Sequence, residues 1–145
     1  MDQRDQLVAS ARAFLGVRFS HQGRHPATGL DCLGLLIATA SRAGVTLQGK
    51  APEALDDRQY GVRPDTDYLQ RMLGAHLQAV DAPEIGDVLL LSIDGRPQHL
   101  ALVSDYPVAD ELGMIHAYAV ARKVVEHRLD EAWRQKIHQV YRVHA

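Results

Sequence analysis

The spacing of apolar residues changes near Pro83, and this change constrains the fold more than any other feature of the chain. Before it, apolar residues recur three and four positions apart, which predicts helices at residues 3–15, 30–43 and 65–77. After it, short apolar or alternating runs separated by turn residues predict strands. The predicted strands cover residues 88–93, 98–103, 113–120, 123–129 and 137–143, with a helical turn at residues 130–135. Helices followed by strands indicate an α+β fold, in which an antiparallel sheet of about five strands packs on the helical half.

Size and composition indicate one globular domain, residues 1–145, because neither a repeat nor a linker divides the chain. Hydrophobic residues make up 46% and charged residues 23%, which argues against a disordered or fibrous chain. The formal net charge is -2 and the Lys and Arg residues are scattered, so no nucleic-acid partner is expected. Apolar runs fall far short of the ~20 residues that span a bilayer, so membrane insertion is not expected.

The first residues lack the basic and apolar regions of a secretory signal, which predicts synthesis in the cytoplasm without a signal peptide. The single cysteine excludes an internal disulfide.

That cysteine, Cys32, lies where a loop rich in polar residues and glycine turns into the most apolar of the predicted helices. Either Asp31 or Thr28 can cap this helix, and both choices put Cys32 in the first turn. A thiol there meets unpaired N–H groups and the positive end of the helix dipole, which favours the thiolate. Cys32 is therefore a candidate nucleophile, and its backbone N–H is a candidate oxyanion donor.

Two histidines in predicted strands are candidates for the base and for the residue that orients it. Strand alternation puts His99 on the face opposite Leu100, and His116 on the same face as Met114 and Tyr118. If the two strands are neighbours, both imidazoles can point toward the start of the Cys32 helix. His99 would then act as the base and His116 would fix its tautomer, which is an arrangement for acyl transfer.

Each of these residues also has a structural interpretation, which the sequence leaves open. A cysteine in an apolar helix often serves as a small core side chain, and a histidine in a strand often serves only in packing. A metal site is a third interpretation, but His21 and His25 have ligand spacing only on a helix, whereas Gly23 and Pro26 indicate a loop.

Taken in order along the chain, these motifs resemble the NlpC-type cell-wall peptidases, which are papain-like. The motifs are Asp31-Cys32-Leu33-Gly34, Gly86-Asp87-Val88, the strand from His99 to Val103, and Met114-Ile115-His116-Ala117. Members associated with phage tails look most similar, because they share the loop His21-Gln22-Gly23-Arg24 and the pair Gln98-His99.

The resemblance implies a papain-like fold and hydrolysis of peptidoglycan stem peptides, typically after a γ-linked D-glutamate. It implies Cys32 as nucleophile, His99 as base and His116 as the third polar residue, with no metal or organic cofactor. Asp31, His21, Gln22 and Arg24 are expected at the substrate cleft, although hydrogen bonds that order the loop explain the last three equally well. A tail-associated member would reach the bacterial cell wall with the virion. The alternative is a catalytically silent domain that binds other phage tail proteins.

Overall fold

The computed structural model describes residues 2–56, 67–108 and 110–143. Its helices are α1 (Gln3–Arg12), α2 (Cys32–Ala43), α3 (Tyr68–His76) and α4 (Glu131–Arg134), with a 3-10 turn at Pro52–Leu55. Its strands are β1 (Arg24–His25), β2 (Gly29–Leu30), β3 (Gln78–Val80), β4 (Val88–Ile93), β5 (Arg96–Ser104), β6 (Gly113–Tyr118), β7 (Lys123–Arg128) and β8 (Ile137–Arg142).

Six strands form one antiparallel sheet in the order β3-β8-β4-β5-β6-β7, and β1 pairs with β2 in a separate hairpin. The predicted α+β fold is confirmed. The five predicted strands are β4 to β8, with ends that differ by at most two residues. The edge strand β3 and the hairpin were not predicted, because two or three residues are too few to show an alternating pattern.

The sheet is covered on both faces, so alternate residues of its strands enter different cores. Leu100 and Leu102 of β5 pack in the core that contains the buried faces of α1, α2 and α3. Ala101 and Val103 of the same strand pack in a second core with Leu129, against which Trp133 of α4 lies. This two-sided burial explains why the run from Leu100 to Val103 is entirely apolar.

The helix α2 is central, and its boundaries follow from its capping residues. Asp31 is the N-cap: its backbone is extended and its carboxylate accepts the N–H of Gly34 at 2.7 Å. Thr28, the other predicted cap, instead donates its hydroxyl to the carbonyl of His25. Gly44 ends the helix with a left-handed backbone, which glycine adopts readily. As predicted, α2 packs against the sheet, where it contacts β5 and β6.

The third helix is also confirmed over its described part, which starts at Tyr68. Its predicted caps, Asp65 and Thr66, lie outside the described residues. Within the described ranges, no helix combines the length and apolar character needed to cross a bilayer.

Candidate active site

The sheet opens between β5 and β6 over part of their length. The two strands pair over three residues each, and the pairing ends at Leu102 opposite Ile115. β5 nevertheless starts at Arg96 and β6 continues to Tyr118. The unpaired stretches leave backbone groups of both strands available to other partners, and they carry both predicted histidines.

Cys32 is the first residue of α2 and meets β5 at this opening. The residue is partly exposed, and its thiol lies near the backbones of Leu100 and Leu33. Leu100 directly follows His99, so the sulfur lies beside the strand residue next to the predicted base. Cys32 also lines a narrow pocket between α2 and the sheet, whose other walls are mainly aliphatic side chains, including Leu35, Leu36, Val88, Leu100, Leu102 and Ile115.

The Cys32 thiol lacks the lowered pKa that its place in the first turn predicts. Removal from water raises its pKa to about 12, and the negative charge of Asp31 acts in the same direction. The nearby backbone groups of Leu100 and Leu33 and the positive charge of Arg24 lower the pKa by less. The expectation of a favoured thiolate is therefore wrong, because desolvation outweighs the helix terminus. The thiol is therefore neutral near pH 7.

His99 and His116 are in direct contact, with 2.7 Å between Nε2 of His99 and Nδ1 of His116. This confirms that their strands are neighbours and that both imidazoles lie on one face. His116 is fully buried. Burial lowers the pKa of His99 to about 4 and that of His116 to about 2, and the charge of neighbouring histidines lowers the latter further. Both rings are therefore neutral near pH 7.

A third histidine, which the sequence did not identify, continues this contact. Nε2 of His127 lies 2.8 Å from Nε2 of His116, and its Nδ1 lies 2.8 Å from the carbonyl oxygen of Arg128. His127 is in β7, where it pairs with Met114 and lies diagonal to His116. Alternation within β7 puts His127 on a definite face, but only the register between β6 and β7 brings it to His116.

Two aromatic rings enclose the three histidines. Tyr118 stacks on His116 with 4.9 Å between ring centroids, and Trp133 meets the same ring edge-on at 5.1 Å. Trp133 also lies 5.4 Å from the ring of His127. These contacts hold the imidazoles in place and remove water from them, which accounts for the lowered pKa of His116.

The predicted substrate residue Asp31 is bound within the protein. Its Oδ1 accepts hydrogen bonds from Gly34 and from Arg24 (2.8 Å), and its Oδ2 accepts the backbone N–H of Gln22 at 3.1 Å. Arg24 also pairs with Asp56 at 3.0 Å. The structure thus brings Asp31, Gln22 and Arg24 together in a network that orders the loop before α2. A role in substrate binding stays a prediction for these residues.

The remaining predicted residue, His21, lies exposed in the turn before β1. Its proposed partner in a metal site, His25, accepts the backbone N–H of Ala27 through Nδ1, so this segment is a loop and hairpin rather than a helix. Among the described residues, no group of three His, Cys, Asp or Glu side chains is arranged to hold a metal ion.

A cysteine at the start of a central helix, packed on an antiparallel sheet that carries the histidines, is the arrangement of the papain-like α+β folds. The model of the NlpC/P60 family matches residues 16–142, and the chain therefore belongs to that family. A search of curated proteins found no match.

Solved structures support this assignment at the level of the fold. An NlpC/P60 family protein from Bacillus cereus is 21% identical, with a TM-score of 0.66, over 97% of this chain and 40% of its own. The NlpC/P60 domain of the peptidoglycan hydrolase SagA is 17% identical, with a TM-score of 0.54, over 98% of each chain. The peptidoglycan hydrolase RipB from Mycobacterium tuberculosis is 17% identical, with a TM-score of 0.55, over 99% of this chain and 66% of its own. The chain thus spans about two fifths of the Bacillus protein, and the family includes peptidoglycan hydrolases.

Proposed function

We propose that this protein is a cysteine peptidase that cleaves peptidoglycan stem peptides at the bond after a γ-linked D-glutamate. In this proposal Cys32 is the nucleophile, His99 is the base, and His116 orients His99. The observation that carries it is the position of Cys32 against Leu100, the residue that follows His99, together with the direct contact between His99 and His116. Family membership supports the substrate class.

The neutral resting state defines the order of proton transfers. Nδ1 of His99 takes the thiol proton as the sulfur of Cys32 bonds to the carbonyl carbon of the scissile amide. The backbone N–H of Cys32, which has no partner within the helix at this position, stabilises the negative oxygen that develops. The C–N bond then breaks, His99 gives the proton to the leaving amine, and a thioester remains.

Hydrolysis of the thioester returns the enzyme to its starting state. Water gives a proton to His99 as its oxygen bonds to the acyl carbon. The C–S bond then breaks, the proton passes from His99 to the sulfur of Cys32, and the carboxylic acid leaves. No group outside the peptide, water and the protein is consumed.

The test is cleavage of a defined set of muropeptides, with the fragments identified by mass spectrometry. The Cys32→Ala variant should lose activity on the order of 10⁴-fold, because the reaction then lacks its nucleophile. His99→Gln should lose more activity than His116→Gln, since a base contributes more than the residue that orients it. His138→Gln, the same replacement at an exposed histidine of β8 that contacts Gln70, is the control.

Turnover of Cys32→Ala at the wild-type rate would overturn the assignment of the nucleophile. Folded wild-type protein that releases no fragment from any muropeptide would overturn the proposed activity and favour the assembly-domain alternative. Association with a phage tail stays a prediction from the sequence, and mass spectrometry of purified virions tests it.

A further inference from the structure

The hydrogen bonds along the three histidines have a direction that one backbone group sets. Nδ1 of His127 lies 2.8 Å from the carbonyl oxygen of Arg128. A carbonyl oxygen only accepts, so Nδ1 of His127 carries a proton and donates it. In a neutral His127 the other ring nitrogen, Nε2, then has a lone pair and accepts.

The direction of this hydrogen bond determines the direction of the two hydrogen bonds between the histidine rings. Nε2 of His116 faces Nε2 of His127 at 2.8 Å and must donate to it. His116 is neutral, so its Nδ1 accepts, and Nε2 of His99, 2.7 Å away, must donate. A neutral His99 that donates from Nε2 has its lone pair on Nδ1. Nδ1 is the ring nitrogen nearer the backbone of His99, and the next residue, Leu100, lines the same pocket as Cys32.

We propose that His127 is a positioning residue that fixes the tautomers of His116 and His99, so that His99 presents an unprotonated Nδ1 to the Cys32 thiol. The expected effect on kcat rests on the proposed peptidase function, whereas the expected tautomers of the histidines do not depend on activity. If the hydrogen bonds between the histidines had the opposite direction, Nδ1 of His99 would carry a proton and would be unable to take the thiol proton.

The environment of His127 favours this role over one of packing alone. Its ring joins the buried His116 to a backbone carbonyl near the protein surface, and both ring nitrogens are used. Trp133, with the ammonium of Lys136 5.9 Å from the centre of its ring, covers one side. The neighbouring charges have their own partners, since Glu126 pairs with Arg12 and Arg128 lies near Glu111.

Two replacements of His127 by side chains of similar length distinguish an effect of hydrogen-bond direction from an effect of packing. The His127→Glu variant can only accept from Nε2 of His116, so it should keep the wild-type tautomers. The His127→Lys variant can only donate to the same nitrogen, so it should reverse the hydrogen bonds and put the proton on Nδ1 of His99. If His127 served only in packing, the two replacements would have similar effects.

The first measurement is the ¹⁵N NMR spectrum of the histidine rings at pH 8, which requires no substrate. We expect the His99 signals to show a protonated Nε2 in the wild type and in His127→Glu, and a protonated Nδ1 in His127→Lys. A protonated Nδ1 of His99 in the wild type, or unchanged tautomers in His127→Lys, would overturn the proposal.

The second measurement is steady-state cleavage of a defined muropeptide. We expect kcat of His127→Lys to fall on the order of tenfold or more with KM unchanged, because His127 does not touch the substrate, whereas His127→Glu stays within a few-fold of wild type. Equal losses of kcat in the two variants contradict the proposal. If the wild type shows no cleavage, the proposed function fails, while the NMR result still decides the role of His127.

Discussion

The charge of Asp31 acts on the Cys32 thiol and on the preceding loop at the same time. Its carboxylate caps α2 through Gly34 and holds Arg24 at 2.8 Å. It also raises the pKa of Cys32, whereas the charge of Arg24 lowers it. The residue that caps the helix therefore opposes ionisation of the proposed nucleophile next to it.

We expect Asp31→Asn to increase the rate at which iodoacetamide alkylates Cys32 between pH 7 and 9. Asparagine is also a good N-cap, so the start of α2 is kept, whereas the charge that raises the thiol pKa is lost. Each unit by which the pKa falls increases the thiolate fraction about tenfold. Mass spectrometry measures the rate, and Cys32 is the sole cysteine, so every adduct reports on it.

The control for this experiment is Asp56→Asn, which removes the other carboxylate bound by Arg24. Its alkylation rate should stay near that of the wild type. The wild-type rate should itself rise about tenfold per pH unit up to pH 9, because the thiol pKa of about 12 lies above this range. A wild-type rate that levels off near pH 6, or an Asp31→Asn variant slower than wild type, would contradict this interpretation.

Residue types and spacing identify Cys32, His99 and His116 as candidates, because a lone thiol at a helix start and histidines on one strand face are visible in the sequence; that the two histidines lie together is confirmed. The pKa of the thiol could not be predicted, since it depends on how closely β5 and β6 cover the sulfur. His127 was missed for a related reason: its contact with His116 depends on a strand register that alternation alone does not define.

At the level of the elements, Gly34 determines how closely the loop before α2 approaches the helix. A Cβ at Gly34 would lie 1.9 Å from the carbonyl oxygen of Gly23, a backbone atom that cannot move without the loop. Gly34 therefore allows close approach of α2 to the loop that carries Arg24 and Gln22.

We expect Gly34→Ala to destabilise the protein although alanine has the higher helix propensity. The added methyl group must displace the loop and with it the hydrogen bonds to Asp31, at a cost of about 2 kcal/mol or more. Gly74→Ala is the matched control, because Gly74 also lies inside a helix, α3, and nothing lies within 4 Å of its added Cβ.

Unfolding in urea measures both variants. Gly74→Ala should gain about 0.5–1 kcal/mol from helix propensity. Equal gains in the two variants would show that the loop moves freely and that its contact with α2 does not require a glycine at position 34.

Across the whole molecule, one buried ion pair joins the start of β4 to the end of β8. Asp87 is fully buried and accepts two hydrogen bonds from Arg142, at 2.9 and 2.8 Å. It also accepts the backbone N–H of Glu84 at 2.8 Å. The sequence identified Gly86-Asp87-Val88 only by resemblance to a family motif. Its physical role is to fix β4 against β8. The two paired residues are 55 positions apart in the sequence.

The buried histidines should also make the stability of the whole domain depend on pH. Burial lowers the pKa of His99 from 6.5 to about 4 and that of His116 from 6.5 to about 2. Below pH 6.5 the unfolded chain therefore binds protons at these residues before the folded protein does. Above pH 6.5 both histidines are neutral in the folded and unfolded protein, and they do not reduce the free energy of unfolding. As the pH falls from 6.5 toward their folded-state pKa values, the free energy of unfolding decreases by up to about 1.4 kcal/mol per pH unit for each histidine.

We expect the free energy of unfolding, measured by urea denaturation, to fall between pH 6.5 and 4.5. Carboxylates with a lowered pKa, such as Glu84 and Asp105, weaken the protein mainly below this interval, since their ordinary pKa values are 4.5 and 3.8. His99→Gln removes one of the two buried groups and should reduce the slope by about 1.4 kcal/mol per pH unit. His138→Gln, at an exposed histidine, should keep the wild-type slope. A wild-type free energy that stays constant over this interval, or an unchanged slope in His99→Gln, would show that the neutral state of the histidines does not contribute to stability.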